Sequence, residues 1–97
     1  LGDRAAQIDA YKKAIEMNPS FAEGHLFLAK AYLDAGQDLD EAMRLSQKGV
    51  ELAPRSEYAP LGHYVMADIY ARRGKRAESD AEAARGRALE RAPKSQP

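Results

Sequence analysis

The segment His25-Leu26-Phe27-Leu28-Ala29-Lys30-Ala31-Tyr32 returns as His63-Tyr64-Val65-Met66-Ala67-Asp68-Ile69-Tyr70, and Gly36 returns as Gly74, all at a spacing of 38 residues. Self-similarity at a fixed period of this size means one structural unit stacked on copies of itself, because a single unit cannot bury its own apolar face. A second similarity joins Tyr11-Lys12-Lys13-Ala14-Ile15-Glu16-Met17-Asn18-Pro19 to Ser46-Gln47-Lys48-Gly49-Val50-Glu51-Leu52-Ala53-Pro54, this time at 35 residues. Two different segments therefore alternate along the chain.

Both segments read as helices. Pro19, Pro54 and Pro93 each follow a helical run that they cannot extend. Gly36 and Gly74 stand where helices should end, since glycine takes the left-handed conformation without steric penalty. Ser20 with Glu23, and Asp38 with Glu41, have the spacing of capping boxes. No segment shows the period-two alternation of a half-buried strand. The expected elements are five helices near 3–17, 20–35, 38–53, 57–73 and 75–92. Ala42, Leu45, Gly49, Val50 and Ala53 make one stripe on the third. The second and fourth are apolar over a wider arc, so each must be covered by neighbours on most sides. The predicted core is Leu28, Ala29, Tyr32, Leu45, Val50, Met66, Ala67 and Tyr70.

At 97 residues the chain holds one domain, here taken as residues 1–97. It divides into a lone second helix (1–19), a full repeat (20–54), a divergent repeat (55–93) and a tail (94–97). Cysteine is absent, which removes disulfides and thiolate metal sites. His25 and His63 are repeat equivalents with no cluster of further ligands near them, so a zinc site is not expected. Neither has the serine and acid of a triad. Asp38, Asp40 and Glu41 lack the length of a calcium loop and suit a helix N-terminus better. No cofactor is expected. The net charge is zero, and nucleic acid is not an expected partner. The charge is uneven, with eight basic and four acidic residues from Arg72 onward. Arg72-Arg73-Gly74-Lys75-Arg76 is the densest cluster, and no aromatic follows Tyr70 for base stacking. No apolar run has the roughly 20 residues of a membrane span, and no cationic start leads into an apolar stretch. The cytoplasm is the default compartment.

The middle repeat, Ala22 to Pro54, resembles the tetratricopeptide repeat family. Leu28-Ala29, Tyr32, Gly36, Asp40-Glu41-Ala42 and Pro54 match the family's signature, with one extra residue between Gly36 and Ala42. The next repeat keeps Met66-Ala67, Tyr70 and Gly74 and then drifts, with Ala77 or Ala81 as candidates for the Ala42 position. The first partial repeat matches mainly at its ending and has Gln7 where alanine is usual. The resemblance implies an all-α fold, a right-handed superhelix (α-solenoid) of antiparallel helix-turn-helix repeats. It also implies that the first helices line a groove for a protein or peptide segment, and that the chain is not an enzyme. The groove positions that follow are Leu26, Phe27, Lys30, Asp34, Tyr64, Val65, Asp68 and Arg72. Leu26 and Tyr64 stand where carboxylate-clamp members carry cations or asparagines, so that subclass is not expected here.

The expected function is a protein-interaction module inside a larger, bacterial-type repeat protein. The alternative is an oligomerisation element that uses the groove and the N-terminal edge. Ile8, Tyr11, Ala14 and Ile15 form an apolar stripe at helical spacing. An open apolar edge there would imply a fragment of a longer chain, or cover by a second copy.

Overall fold

A computed structural model describes residues 3–92. Residues 1–2 and 93–97, and with them Pro93 and the 94–97 tail, lie outside the described residues. Five helices follow one another: α1 (Arg4–Met17), α2 (Ala22–Ala35), α3 (Leu39–Leu52), α4 (Ala59–Arg72) and α5 (Arg76–Arg91). Each helix packs on the next except that α2 also lies against α4, passing over the helix between them in sequence. This is an all-α stack of helix-turn-helix repeats. α2 and α4 are the first helices of their pairs; α1, α3 and α5 are second helices.

The helix ends show where local chemistry acts. Asp3 caps α1, its carboxylate accepting from the Ala6 N–H at 3.1 Å. Neither expected capping box forms. α2 starts one residue later than Ser20 allows, with Phe21 at its N-cap and no side-chain cap. Glu41 is instead held by Arg44, which keeps its carboxyl below the usual carboxylate range.

α2 and α4 end alike. The Gln37 N–H bonds to the Tyr32 carbonyl and the Lys75 N–H to the Tyr70 carbonyl, around Gly36 at φ 67° and Gly74 at φ 73°. Nothing lies within 4 Å of where a Cβ would stand at Gly36, so only backbone strain opposes a side chain there. Gly36→Ala is expected to cost about 1–2 kcal/mol, and Gly36→Asn less, because asparagine tolerates this conformation. Thermal melts of the two variants check the order.

The extra residue after Gly36 is absorbed by Asp38, which takes φ 53°. α3 therefore starts three residues after its glycine and α5 two residues after Gly74. The second helices then correspond at a spacing of 37, and the partners of the first helices confirm it. Leu26 approaches Gly49 on α3, and the equivalent Tyr64 approaches Gly86 on α5. In this register the counterpart of Ala42 is Ser79, not Ala77 or Ala81, both of which are exposed.

The two pairs are held differently. Between α2 and α3 the contacts are apolar, with Ala42 and Leu45 buried. Between α4 and α5 they are largely polar. The Ser79 hydroxyl donates to the Ala67 carbonyl at 2.8 Å. The His63 Nδ1–H donates to the Glu82 carboxylate at 2.8 Å, in a largely buried pair. His25, its repeat equivalent, donates from Nε2 to the Pro19 carbonyl at 2.9 Å. Both histidines thus serve the scaffold.

Six of the predicted core residues are buried: Leu28, Ala29, Tyr32, Leu45, Met66 and Ala67. Val50 and Tyr70 are only half-buried. For Tyr70 the reason is its neighbour. α5 brings Arg76, Asp80 and Glu82 to the positions where α3 brings Leu39, Met43 and Leu45.

The N-terminal edge differs from the expectation. α2 buries Ile8 and half-buries Tyr11, Ala14 and Ile15, so the apolar stripe of α1 is spent on its own neighbour. The outward face of α1 carries Gln7, Ala10 and Met17 instead, all exposed.

Candidate functional site

The expected groove residues separate into three groups. Leu26 and Val65 are core: their exposures are 0% and 1%, so neither can touch a ligand. Leu26 fills the space left by two glycines, Gly49 on α3 and Gly62 on α4; a Cβ at either would stand 2.5 and 2.7 Å from its Cδ2. Tyr64 does not face the groove either. Its ring lies over Gly86, and its hydroxyl donates to the Glu90 carboxylate at 2.6 Å, across to α5. That bond raises the phenol above its ordinary range. The apolar run in which these residues sit hid the distinction: period alone does not say which side of an all-round apolar helix looks inward.

The remaining five share one face. Phe27 is half-buried; Lys30 and Asp34 follow one and two turns later on α2, and Asp68 and Arg72 hold the equivalent positions on α4. Lys30 pairs with Asp34 at 2.7 Å and Arg72 with Asp68 at 2.9 Å. The order of charge is reversed between the helices, so this part of the face is neutral but strongly patterned. Both pairs are about half-exposed, so each adds at most about 1 kcal/mol of stability and opens readily.

Phe27 is framed by two rings. Tyr11 of α1 lies 5.9 Å away, centre to centre, and Tyr58 at the head of α4 lies 5.1 Å away, edge to face. Beside them is a hollow of about 100 Å³ lined by Gln7, Tyr11, Phe27, Lys30, Ala31 and Asp34. Arg4 reaches over to donate to the Asp34 carbonyl at 3.0 Å. Gln7 and Tyr58 escaped the sequence reading. Gln7 departs from the repeat pattern, so periodicity does not mark it, and Tyr58 stands before its helix, outside any periodic run.

The basic cluster is largely paired. Arg72 has Asp68, Arg73 reaches Asp40 at 2.6 Å and Arg76 approaches Asp80 at 3.8 Å. Among the described residues no group of three or more His, Cys, Asp or Glu side chains could hold a metal ion. No described helix is long and apolar enough to cross a membrane.

The fold is an all-α stack of helical repeats among the described residues. A tetratricopeptide repeat family model matches residues 1–21. The match falls on the first partial repeat, whereas the residue pattern is fullest in the middle one. The fold is similar to that of MamA, with a TM-score of 0.80 at 22% identity, over 92% of this chain and 50% of the MamA chain. The chain thus spans about half the length of that relative. No curated protein matches the sequence. The chain has the fold of a tetratricopeptide-type repeat protein, and its first residues are similar to that family's model. Repeats of this type mediate protein–protein interaction, and their fold is a typical non-catalytic scaffold.

Proposed function

We propose that this chain is a protein-interaction module and that a segment of a partner protein lies along the face made by the first helices, α2 and α4. The observation that carries the reading is Phe27. It is a large aromatic left half-open between two other rings, beside a hollow, on the same face as two ion pairs of opposite order. Aromatic anchors of this kind, rimmed by polar groups, supply most of the energy in protein contacts. Lys30 and Asp34 on one helix, and Asp68 and Arg72 on the other, would fix the direction of the segment by charge. Leu26, Val65 and Tyr64 support this face from beneath and from the side.

Peptides selected from a displayed random library on the intact chain test the reading. Binding of the selected peptides is expected to weaken at least about tenfold in Phe27→Ala, the loss of 1.4 kcal/mol or more that an anchor residue represents. Arg72→Ala should weaken it less, and Arg87→Ala on α5 should leave it unchanged. Peptides that bind Phe27→Ala and Arg72→Ala as well as the parent would move the site to another face.

Self-association is the second reading. Met17 is 87% exposed and Phe21 37% exposed, and both lie at the α1–α2 end. Sedimentation across a concentration series separates the two readings, since this one requires a dimer or larger form without any added peptide.

A further inference from the structure

The two ion pairs on the inner face run in opposite order, and helix chemistry accounts for only one of them. On α4, Asp68 precedes Arg72 by four residues, and Arg72 stands in the last turn. An acid before a base at this spacing is the more stabilising orientation, and a cation suits the negative end of the helix dipole. On α2 both relations are inverted. Lys30 precedes Asp34, which puts a carboxylate near the C-terminal end, and no base stands in the last turn. With the two residues exchanged α2 would be the better helix, so helix stability does not explain their order.

Both pairs are open to a partner. Lys30 and Asp34 leave 45% and 42% of their side chains exposed, and Arg72 and Asp68 leave 44% and 46%. The second pair stays this open although α2 lies against α4. A helix placed on α2 in the same way would leave Lys30 and Asp34 equally open, whatever precedes Leu1. Lys30 stands at the repeat level of Asp68, and Asp34 at that of Arg72. Each level thus carries one cation and one carboxylate, one on each helix. A segment of one sign crossing from α2 to α4 meets a partner and a like charge at either level, and the two effects offset. A segment of mixed charge meets a partner on both helices.

We infer that this face selects an extended partner segment of mixed charge and turns away segments of a single sign. The segment sets an acid on Lys30 and a base on Asp68, or a base on Asp34 and an acid on Arg72. The inference rests on the reading of this face as protein-binding and names the chemistry of what the face holds. Packed helices lie about 8–10 Å apart, which is about one three-residue turn of a polyproline-type chain. The acid and the base of the segment should therefore stand three residues apart, both turned to the face. The half-exposed pairs of the chain open at little cost to receive them, and the like charge at each level excludes the wrong segment.

The test reverses the order on α2 alone, Lys30→Asp with Asp34→Lys, in the intact chain. The double change keeps an ion pair on α2 but sets two carboxylates together at one level and two cations at the other. The variant is expected to melt no lower than the parent, since it follows the favoured helix order. Peptides selected from a random library on the parent should carry an acid and a base three residues apart. They should bind the variant at least about tenfold more weakly. Fresh selection on the variant should return peptides of a single sign. Parent-selected peptides without paired acids and bases, or equal binding by parent and variant, would overturn the inference. So would a variant that melts clearly below the parent, because the order on α2 would then serve the fold. If Phe27→Ala still weakens the peptides in any of these cases, the protein-binding face stands and only its charge selection falls. Peptides indifferent to Phe27→Ala as well, or no selected peptides at all, would remove both.

Discussion

Leu26→Ala is expected to lower the stability of the fold by about 2–5 kcal/mol, the cost of removing a fully buried leucine from a site that cannot collapse. The site is stiff for a reason visible in its neighbours. Leu26 is 0% exposed, and its Cδ2 lies where Gly49 and Gly62 lack side chains. Three helices meet at this one side chain. Alanine would leave a cavity bounded by glycines, which have no side chains to move into it. For a domain of this size each kcal/mol moves the midpoint of unfolding by roughly 4–8 °C, so the melt should fall by roughly 10 °C or more. If Leu26 were a groove contact, as the family pattern implies, the same variant would melt like the parent and only binding would suffer.

Tyr32→Ala is expected to cost about 3–5 kcal/mol, and Tyr70→Ala clearly less. The two tyrosines are repeat equivalents at the ends of α2 and α4, so a reading based on the repeat alone gives them equal weight. Their surroundings differ. Tyr32 is 4% exposed within the main cluster of Leu28, Leu33, Leu45 and Ile69. Tyr70 is only partly buried, where α5 carries Arg76 and Asp80 at the positions of Leu39 and Met43 on α3. Paired thermal melts measure the difference. Equal losses for both variants would mean that α5 covers its partner as α3 does, contrary to the polar packing described above.

Much of the architecture was legible in the sequence because it rests on period and punctuation. The spacing of 38 residues, the glycines at 36 and 74 and the prolines after helical runs gave five helices with ends close to those observed. The capping boxes failed because a three-residue spacing is satisfied by many sequences, and the carboxylate of Glu41 found a stronger partner in Arg44. The drift of the last repeat was a register change of one residue, absorbed by Asp38 in a left-handed turn. Once that residue is removed, Ser79, Glu82 and Gly86 fall into line with Ala42, Leu45 and Gly49.

The site was less legible. In helices that are apolar on nearly all sides, adjacent residues such as Leu26 and Phe27 point about 100° apart, and hydrophobicity does not say which of them reaches the surface. What separates them is the pair of glycines that receives Leu26, and those lie 23 and 36 residues away in sequence. The edge of α1 was misread for a related reason. Its apolar stripe matches the side turned to the next helix, as in α3, while Gln7, Ala10 and Met17 form the side left open.

The central claim is that the face of α2 and α4 holds a protein segment. A photo-crosslinking amino acid placed singly at positions 27, 68 and 87 of the intact chain tests it most directly, using the library-selected peptides as bait. The account predicts adducts from positions 27 and 68 and none from position 87 on α5. Adducts from position 87 with none from 27 or 68 would place the binding surface on α5 and contradict it.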